Sequence, residues 1–265
     1  MYEVRPFGYS KIFERPLDLH LAFFRSVEED ATFGLELFRR LRGRDAVSAL
    51  ELQCGPGYYA ATLSQRGLDT TAVDTRWDIL QFAKELHPRS SATYRLQHPC
   101  AWMPGDRWDL LLFPLDSLAY LLEDRLVLAF LEGVRNALTE DGLLLIEANH
   151  PKDVGYIDYG AIFGGRDPKF PGVRVRAEWG VNQPCFDLVT HRVRTQIRIT
   201  IDEQGRTRQR VIDSEEKQYL PRELQLLAER AALSLCGCYG GWIDTPLTWA
   251  HDLQVFALER RRDER

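Results

Sequence analysis

The sequence predicts an α/β fold built on a mostly parallel sheet, with helices ahead of it and an antiparallel insertion late in the chain. Three observations carry this reading. Short apolar runs alternate with helical segments from Asp45 to His150, the pattern of right-handed strand–helix–strand units. A glycine-bearing turn, Cys54-Gly55-Pro56-Gly57, directly follows the first apolar run. Beyond His150 the pattern becomes polar/apolar alternation, which suits strands with one covered face.

Composition narrows the function classes. With 45% hydrophobic and 28% charged residues over 265 positions, the chain can bury a large core. A net charge of −5 gives no support for nucleic-acid binding, which usually shows a basic face. The five cysteines are scattered, and Cys236-Gly237-Cys238 is too tightly spaced for a zinc site. Reduced thiols, no metal and a cytoplasmic setting are expected. No apolar run is long enough to span a membrane, and Met1-Tyr2-Glu3-Val4-Arg5-Pro6 lacks a signal-peptide core.

The elements follow in order. Residues 1–45 read as a helical cap: Leu17, Leu19, Leu21, Phe23 and Phe24 cluster, and Phe33, Leu37, Phe38 and Leu41 follow at helical spacing. Arg39, Arg40, Arg42 and Arg44 suit a helix C-terminus. Strands are expected at 46–52, 70–74, 92–96, 108–113 and 143–148. Helices are expected at 58–65, from 77 to near Pro88, and at 126–138, with a turn at Asp141-Gly142. Residues 151–170 are loop-like. About three antiparallel strands follow, at 173–179, 188–201 and 208–219, the last two joined at Gln204-Gly205. Pro221 opens a helix to about Ser234, and 253–258 returns to the main sheet. The chain thus divides into a cap (1–45), a cofactor-binding domain (46–150 and 216–265) and an insertion (151–215) acting as a lid or dimer contact.

The chemistry concentrates at the glycine turn. Glycines there let backbone N–H groups approach a ligand, and the next helix offers its positive end. Asp74, 17 residues beyond Gly57, ends the second strand and can accept from both hydroxyls of an adenosine ribose. Gly55-x-Gly57-x-x-Ala60 also satisfies the dinucleotide fingerprint, so an NAD(P) dehydrogenase is one alternative.

The longer pattern separates the two. Glu51-x-x-x-Gly55-x-Gly57 resembles motif I of class I S-adenosylmethionine-dependent methyltransferases. Thr71-Ala72-Val73-Asp74 looks like their ribose-binding strand end. Arg107-Trp108-Asp109-Leu110-Leu111-Leu112-Phe113 resembles their fourth strand. Phe130-Leu131-x-x-Val134-Arg135-x-x-Leu138-Thr139-x-x-Gly142-Leu143-Leu144 is similar to their helix, turn and fifth strand. Pro114 to Leu121 and Tyr219-Leu220-Pro221-x-Glu223-Leu224 resemble small-molecule members.

The resemblance implies a Rossmann-like seven-stranded sheet with its last strand antiparallel and helices on both faces. It implies S-adenosylmethionine at Glu51, Gln53, Gly55, Gly57, Asp74, Thr75, His98 and Leu115. Two positions depart from the pattern. Gln53 replaces the first glycine, and Gln97-His98-Pro99-Cys100-Ala101-Trp102 lacks the acid that usually faces the adenine amino group; Trp102 could stack there instead.

Strand ends face the crevice of such sheets, which makes Asp116, Ser117, Glu147, Asn149 and His150 candidates for the reaction. His150 and Asp116 are the expected catalytic residues. Tyr156, Tyr159, Trp179 and Trp242 could form an aromatic wall for a cation. The resulting expectation is O- or N-methylation of a small molecule, conceivably in secondary metabolism and by a homodimer. The alternatives are a non-methylating reaction such as cyclisation, or a non-catalytic binding protein with a degraded cofactor site.

Overall fold

Five strands run parallel: β1 (Ser48–Leu52), β2 (Asp69–Asp74), β3 (Thr93–Leu96), β4 (Trp108–Phe113) and β5 (Leu138–Asn149). A computed structural model describes residues 5–101, 105–150, 152, 161–182 and 184–261 of the chain. The central strands are apolar on both faces because both faces are covered. Leu50, Leu111, Phe113 and Ile146 meet α6 (Asp124–Ala137) and α7 (Pro221–Arg230) on one side. Ala49, Leu110, Leu112 and Leu145 meet α3 (Glu28–Arg42) and α4 (Tyr58–Gln65) on the other.

Two C-terminal strands, β11 (Leu233–Tyr239) and β12 (Leu253–Arg260), complete the sheet in the order β11-β12-β5-β4-β1-β2-β3. Strand β12 pairs antiparallel with β5 and with β11. The order reverses between β1 and β4, and a ligand crevice belongs at such a switch point. The glycine turn stands at that place, between β1 and α4.

A second sheet is made from β6 (Ala161–Phe163), β7 (Val173–Trp179), β8 (Cys185–Asp187), β9 (Arg192–Glu203) and β10 (Arg206–Lys217). Its inward row Val175, Ala177, Ile197, Ile199 and Ile201 packs on Ile12, Phe13, Leu19 and Leu21 of the N-terminal segment. That segment carries α1 (Tyr9–Ile12) and α2 (Pro16–Phe23). His20 ties α2 down: its ring nitrogens meet Tyr58 Oη at 2.6 Å and Asp167 Oδ2 at 2.8 Å. The cap is therefore clamped between the two sheets.

Four elements differ from the sequence expectation. The insertion has five strands, because β6 and β8 have three residues each, too few for a period-2 signal. Strand β9 begins at Arg192, since Asp187 accepts from Val189 N–H and Thr190 N–H and closes a turn. Asp141-Gly142 lies inside β5, where the register jumps from Trp108↔Leu138 to Leu110↔Leu143. Helix α7 ends at Arg230, and Ala232, at φ 55°, turns the chain into β11.

Among the described residues no helix is long and apolar enough to cross a membrane. No cluster of His, Cys, Asp and Glu among them could hold a metal ion.

Candidate active site

The turn after β1 is wound through left-handed conformations at Gln53 (φ 53°), Gly55 (φ 50°) and Gly57 (φ 73°). Gly57 is required twice over. Its conformation disfavours a side chain, and an added Cβ would lie 3.2 Å from Ala83 Cβ and 3.3 Å from Tyr94. Glu51 turns its carboxylate to the start of α4, where Oε2 accepts from Ala60 N–H at 2.8 Å. Such N–H groups have no partner within the helix. Burial pushes the Glu51 carboxyl up to about 8, against the pull of those amides.

Asp74 is fully buried and joins three segments. Oδ2 accepts from Gly55 N–H at 3.0 Å; Oδ1 accepts from Ser10 Oγ at 2.8 Å and Arg76 N–H at 3.1 Å. Burial raises its pKa above the ordinary carboxylate value. The neighbouring groups follow the same pattern. Phe7 N–H donates to Thr75 Oγ1 at 3.1 Å, and Gln53 Nε2 donates to Phe7 O at 3.1 Å. The Phe7 ring meets His98 edge-on at 5.2 Å, and Leu19 stands against Gly55. Burial lowers the pKa of His98.

Residues 7–10 therefore lie along the groove that Gln53, Gly55, Asp74, Thr75 and His98 frame. Trp102, expected beside it, is outside the described residues.

A cavity of about 1030 Å³ adjoins this groove. Its floor is Leu115 and Asp116 beyond β4, with Glu147 and Asn149 at the end of β5. Tyr9 and Phe23 approach from the cap, and Trp179, Thr195 and Glu216 from the second sheet. The partition is thin in sequence: Tyr9 lines the cavity while Ser10 reaches Asp74.

Leu115 and Asp116 both hold positive φ, 55° and 50°, a costly conformation for residues with side chains. Asp116 is held by Asn149, whose N–H donates to Oδ1 at 3.2 Å and whose Nδ2 donates to Oδ2 at 2.7 Å. Glu147 Oε2 accepts from Trp242 Nε1 at 2.6 Å and from Arg25 at 3.2 Å. Arg25 also reaches Asp30 and Tyr59.

His150 stands elsewhere. It is not among the residues lining the cavity. Its Nδ1 accepts from Lys152 N–H at 3.0 Å, and its ring meets Trp249 edge-on. Burial first, then Lys152 and His251, lower its pKa. Trp242 packs on Tyr59 beneath the floor, whereas Trp179 lines the cavity. Tyr156 and Tyr159 are outside the described residues.

Sequence reasoning missed Tyr9, Phe23, Arg25, Thr195 and Glu216. For Thr195 a signal existed. Alternation along β9 puts it on the inward row of Val193, Ile197 and Ile199, where a polar residue is unusual.

No family model matches the chain. A candidate methyltransferase of Geobacillus sp. (strain WCH70) is 27% identical over 169 residues, 63% of this chain and 64% of the relative. A second, YqeM of Bacillus subtilis (strain 168), is 25% identical over 44% of this chain and 49% of its own length. The matches thus span under two thirds of either relative.

Among solved structures, an S-adenosylmethionine-dependent methyltransferase from Clostridium acetobutylicum ATCC 824 superposes with a TM-score of 0.74 at 16% identity, covering 90% of this chain and 94% of that one. An amino pentose methyltransferase from Micromonospora echinaspora, solved with S-adenosylmethionine bound, gives a TM-score of 0.68 at 16% identity, over 89% and 92%. The chain has the class I methyltransferase fold, as its motifs imply.

Proposed function

We propose that the chain transfers the methyl group of S-adenosylmethionine to an oxygen or nitrogen of a small molecule held in the large cavity. The observation that carries this is adjacency. The cavity meets the glycine-turn groove at the switch point of the sheet, and residues 7–10 stand between them.

The groove fits the cofactor in chemistry. Asp74 already accepts from a hydroxyl, that of Ser10, as it would from a ribose. The buried Gln53 Oε1 has no hydrogen-bond partner among the described residues. In space the groove is taken by residues 7–10, so binding requires that segment to withdraw. Gly55, Gly57, Asp74, Thr75 and His98 would then hold the nucleoside, with Glu51 keeping the turn on α4. Gln53 and Leu115 would flank the methionine portion. When bound, the cofactor supplies an electrophilic methyl group.

The chain's own part is to hold an acceptor close, desolvated and in line, which can supply most of the acceleration. Asp116 would take a proton from the acceptor, a role that its position on the cavity floor supports. His150 would do so only through a rearranged loop. The second sheet serves as the lid, a role its packing on the cap supports over a dimer contact. Five free cysteines fit a cytoplasmic enzyme.

The filled groove favours one other reading, a binding protein that no longer uses the cofactor. Calorimetry with S-adenosylmethionine and S-adenosylhomocysteine separates the two. Micromolar binding, tightened several-fold in Ser10→Ala as Asp74 is released, is the expected result. No binding to either the parent or the variant would leave only the binding protein.

A further inference from the structure

We infer that the cavity takes a small molecule carrying a cationic amine, its ammonium seated between the Glu216 carboxylate and an aromatic wall of Tyr9, Phe23, Phe163 and Trp179. The inference rests on the cavity being the acceptor site and gives that acceptor a chemical class.

Glu216 is only 8% exposed and lines the cavity. Three neutral donors hold it: Tyr120 Oη at 3.1 Å, Trp179 Nε1 at 3.2 Å and Ser214 Oγ at 3.2 Å. All three land on Oε1. Oε2 has no hydrogen bond, and no Lys or Arg pairs with Glu216, among the described residues. Two other acids of the cavity do have cations, Glu147 with Arg25 and Asp252 with Lys152. A carboxylate buried without a cation is costly. Fixed donors that orient such a group toward open space form a built receptor for a positive charge.

The wall supports the same sign. Phe23 lies 4.6 Å from Tyr9, 5.9 Å from Phe163 and 6.0 Å from Trp179, centroid to centroid. Ring faces attract ammonium groups, and the Trp179 N–H bond to Glu216 fixes the indole beside the acid. A second polar feature is Thr195, which interrupts the inward aliphatic row of Val193, Ile197 and Ile199. Its buried Oγ1 has no partner among the described residues and it too lines the cavity. A ligand with an amine, an apolar body and one further hydrogen-bonding group would meet all three features.

The test compares 4-phenylbutylamine with the near-isosteric 4-phenylbutan-1-ol by calorimetry on the full chain without cofactor. The amine is expected to bind at least tenfold tighter. Glu216→Gln should abolish that preference while leaving the alcohol's affinity unchanged. Thr195→Val, which keeps Glu216, should keep the preference and serves should the glutamine variant not fold, as judged by its thermal midpoint. Equal affinities, no binding of either probe, or an unchanged preference in folded Glu216→Gln would overturn the inference. S-adenosylmethionine binding, measured in parallel, reads the methyltransferase proposal separately. Amine preference without cofactor binding leaves this inference standing and sinks that one; cofactor binding without amine preference does the reverse.

Discussion

The groove at the glycine turn and the cavity beside it solve the burial of polar groups in opposite ways. In the groove the chain answers most of its own donors and acceptors: Asp74, Thr75 and the Gln53 amide N–H are each bonded to residues 7–10, and Gln53 Oε1 is left over. In the cavity Glu216 and Thr195 keep polar atoms that no described residue answers. A motif marks where a ligand could bind in a fold of this kind. An unanswered polar atom marks where this conformation is ready for one. Here the two coincide only at Gln53 Oε1, and the N-terminal segment is the reason.

The sharpest way to break the contrast is to empty the groove of its central partner. Asp74→Ala leaves the buried N–H groups of Gly55 and Arg76 and the Ser10 hydroxyl without an acceptor. Orphaned buried donors cost about 1–3 kcal/mol each when nothing relaxes, so a net loss of roughly 2–4 kcal/mol is expected in urea unfolding. A loss under about 1 kcal/mol would mean that residues 7–10 contribute little to holding the groove closed.

A smaller effect follows from pH. Glu51 titrates near 8 in the folded chain against 4.5 when free. Between those values the folded state holds a proton that the unfolded state has lost. Stability is therefore fully present below about pH 4.5 and falls as pH rises through 8. Burial raises Asp74, Glu147 and Glu216 in the same direction. Glu51→Gln, which mimics the protonated acid, should flatten part of this slope, by a few kcal/mol at most. Thermal midpoints from pH 5 to 9 would show it, and identical slopes in parent and variant would remove Glu51 as a cause.

The fold was legible because its signals are local and redundant. Doubly covered strands gave the continuous runs at residues 108–113 and 143–148, and α4 starts and stops where Gly57 and Gly67 allow. The missed strand β11 had no such signal: Leu233 to Tyr239 is half-exposed along most of its length and bulged between Leu235 and Gly237. The candidate site was legible only in its groove. Residue spacing placed Gly55, Gly57 and Asp74 together, but periodicity says nothing of a segment 64 residues away that bonds to Asp74. Tyr9, Thr195 and Glu216 come from elements far apart in the chain, and only the docking of the second sheet on the cap assembles them. Gln53 was read as a departure from the first glycine of the motif, with its direction open; its amide binds Phe7.

That bond gives the finest test of the contrast, because Gln53→Gly should change stability least and the groove most. The substitution removes the hydrogen bond to Phe7 O, worth about 1 kcal/mol. It also removes a buried acceptor without a partner and a non-glycine residue at positive φ, which together return a similar amount. The midpoint of urea unfolding should therefore stay within about 1 kcal/mol of the parent. Residues 7–10, however, lose one of their polar anchors and keep those to Thr75, Asp74 and Arg76. Amide exchange at Phe7, whose N–H is bonded to Thr75 Oγ1, should speed up several-fold even as global stability holds. A large loss of stability with unchanged exchange at Phe7 would show that Gln53 supports the turn itself, and that the groove is closed by something other than the segment lying in it.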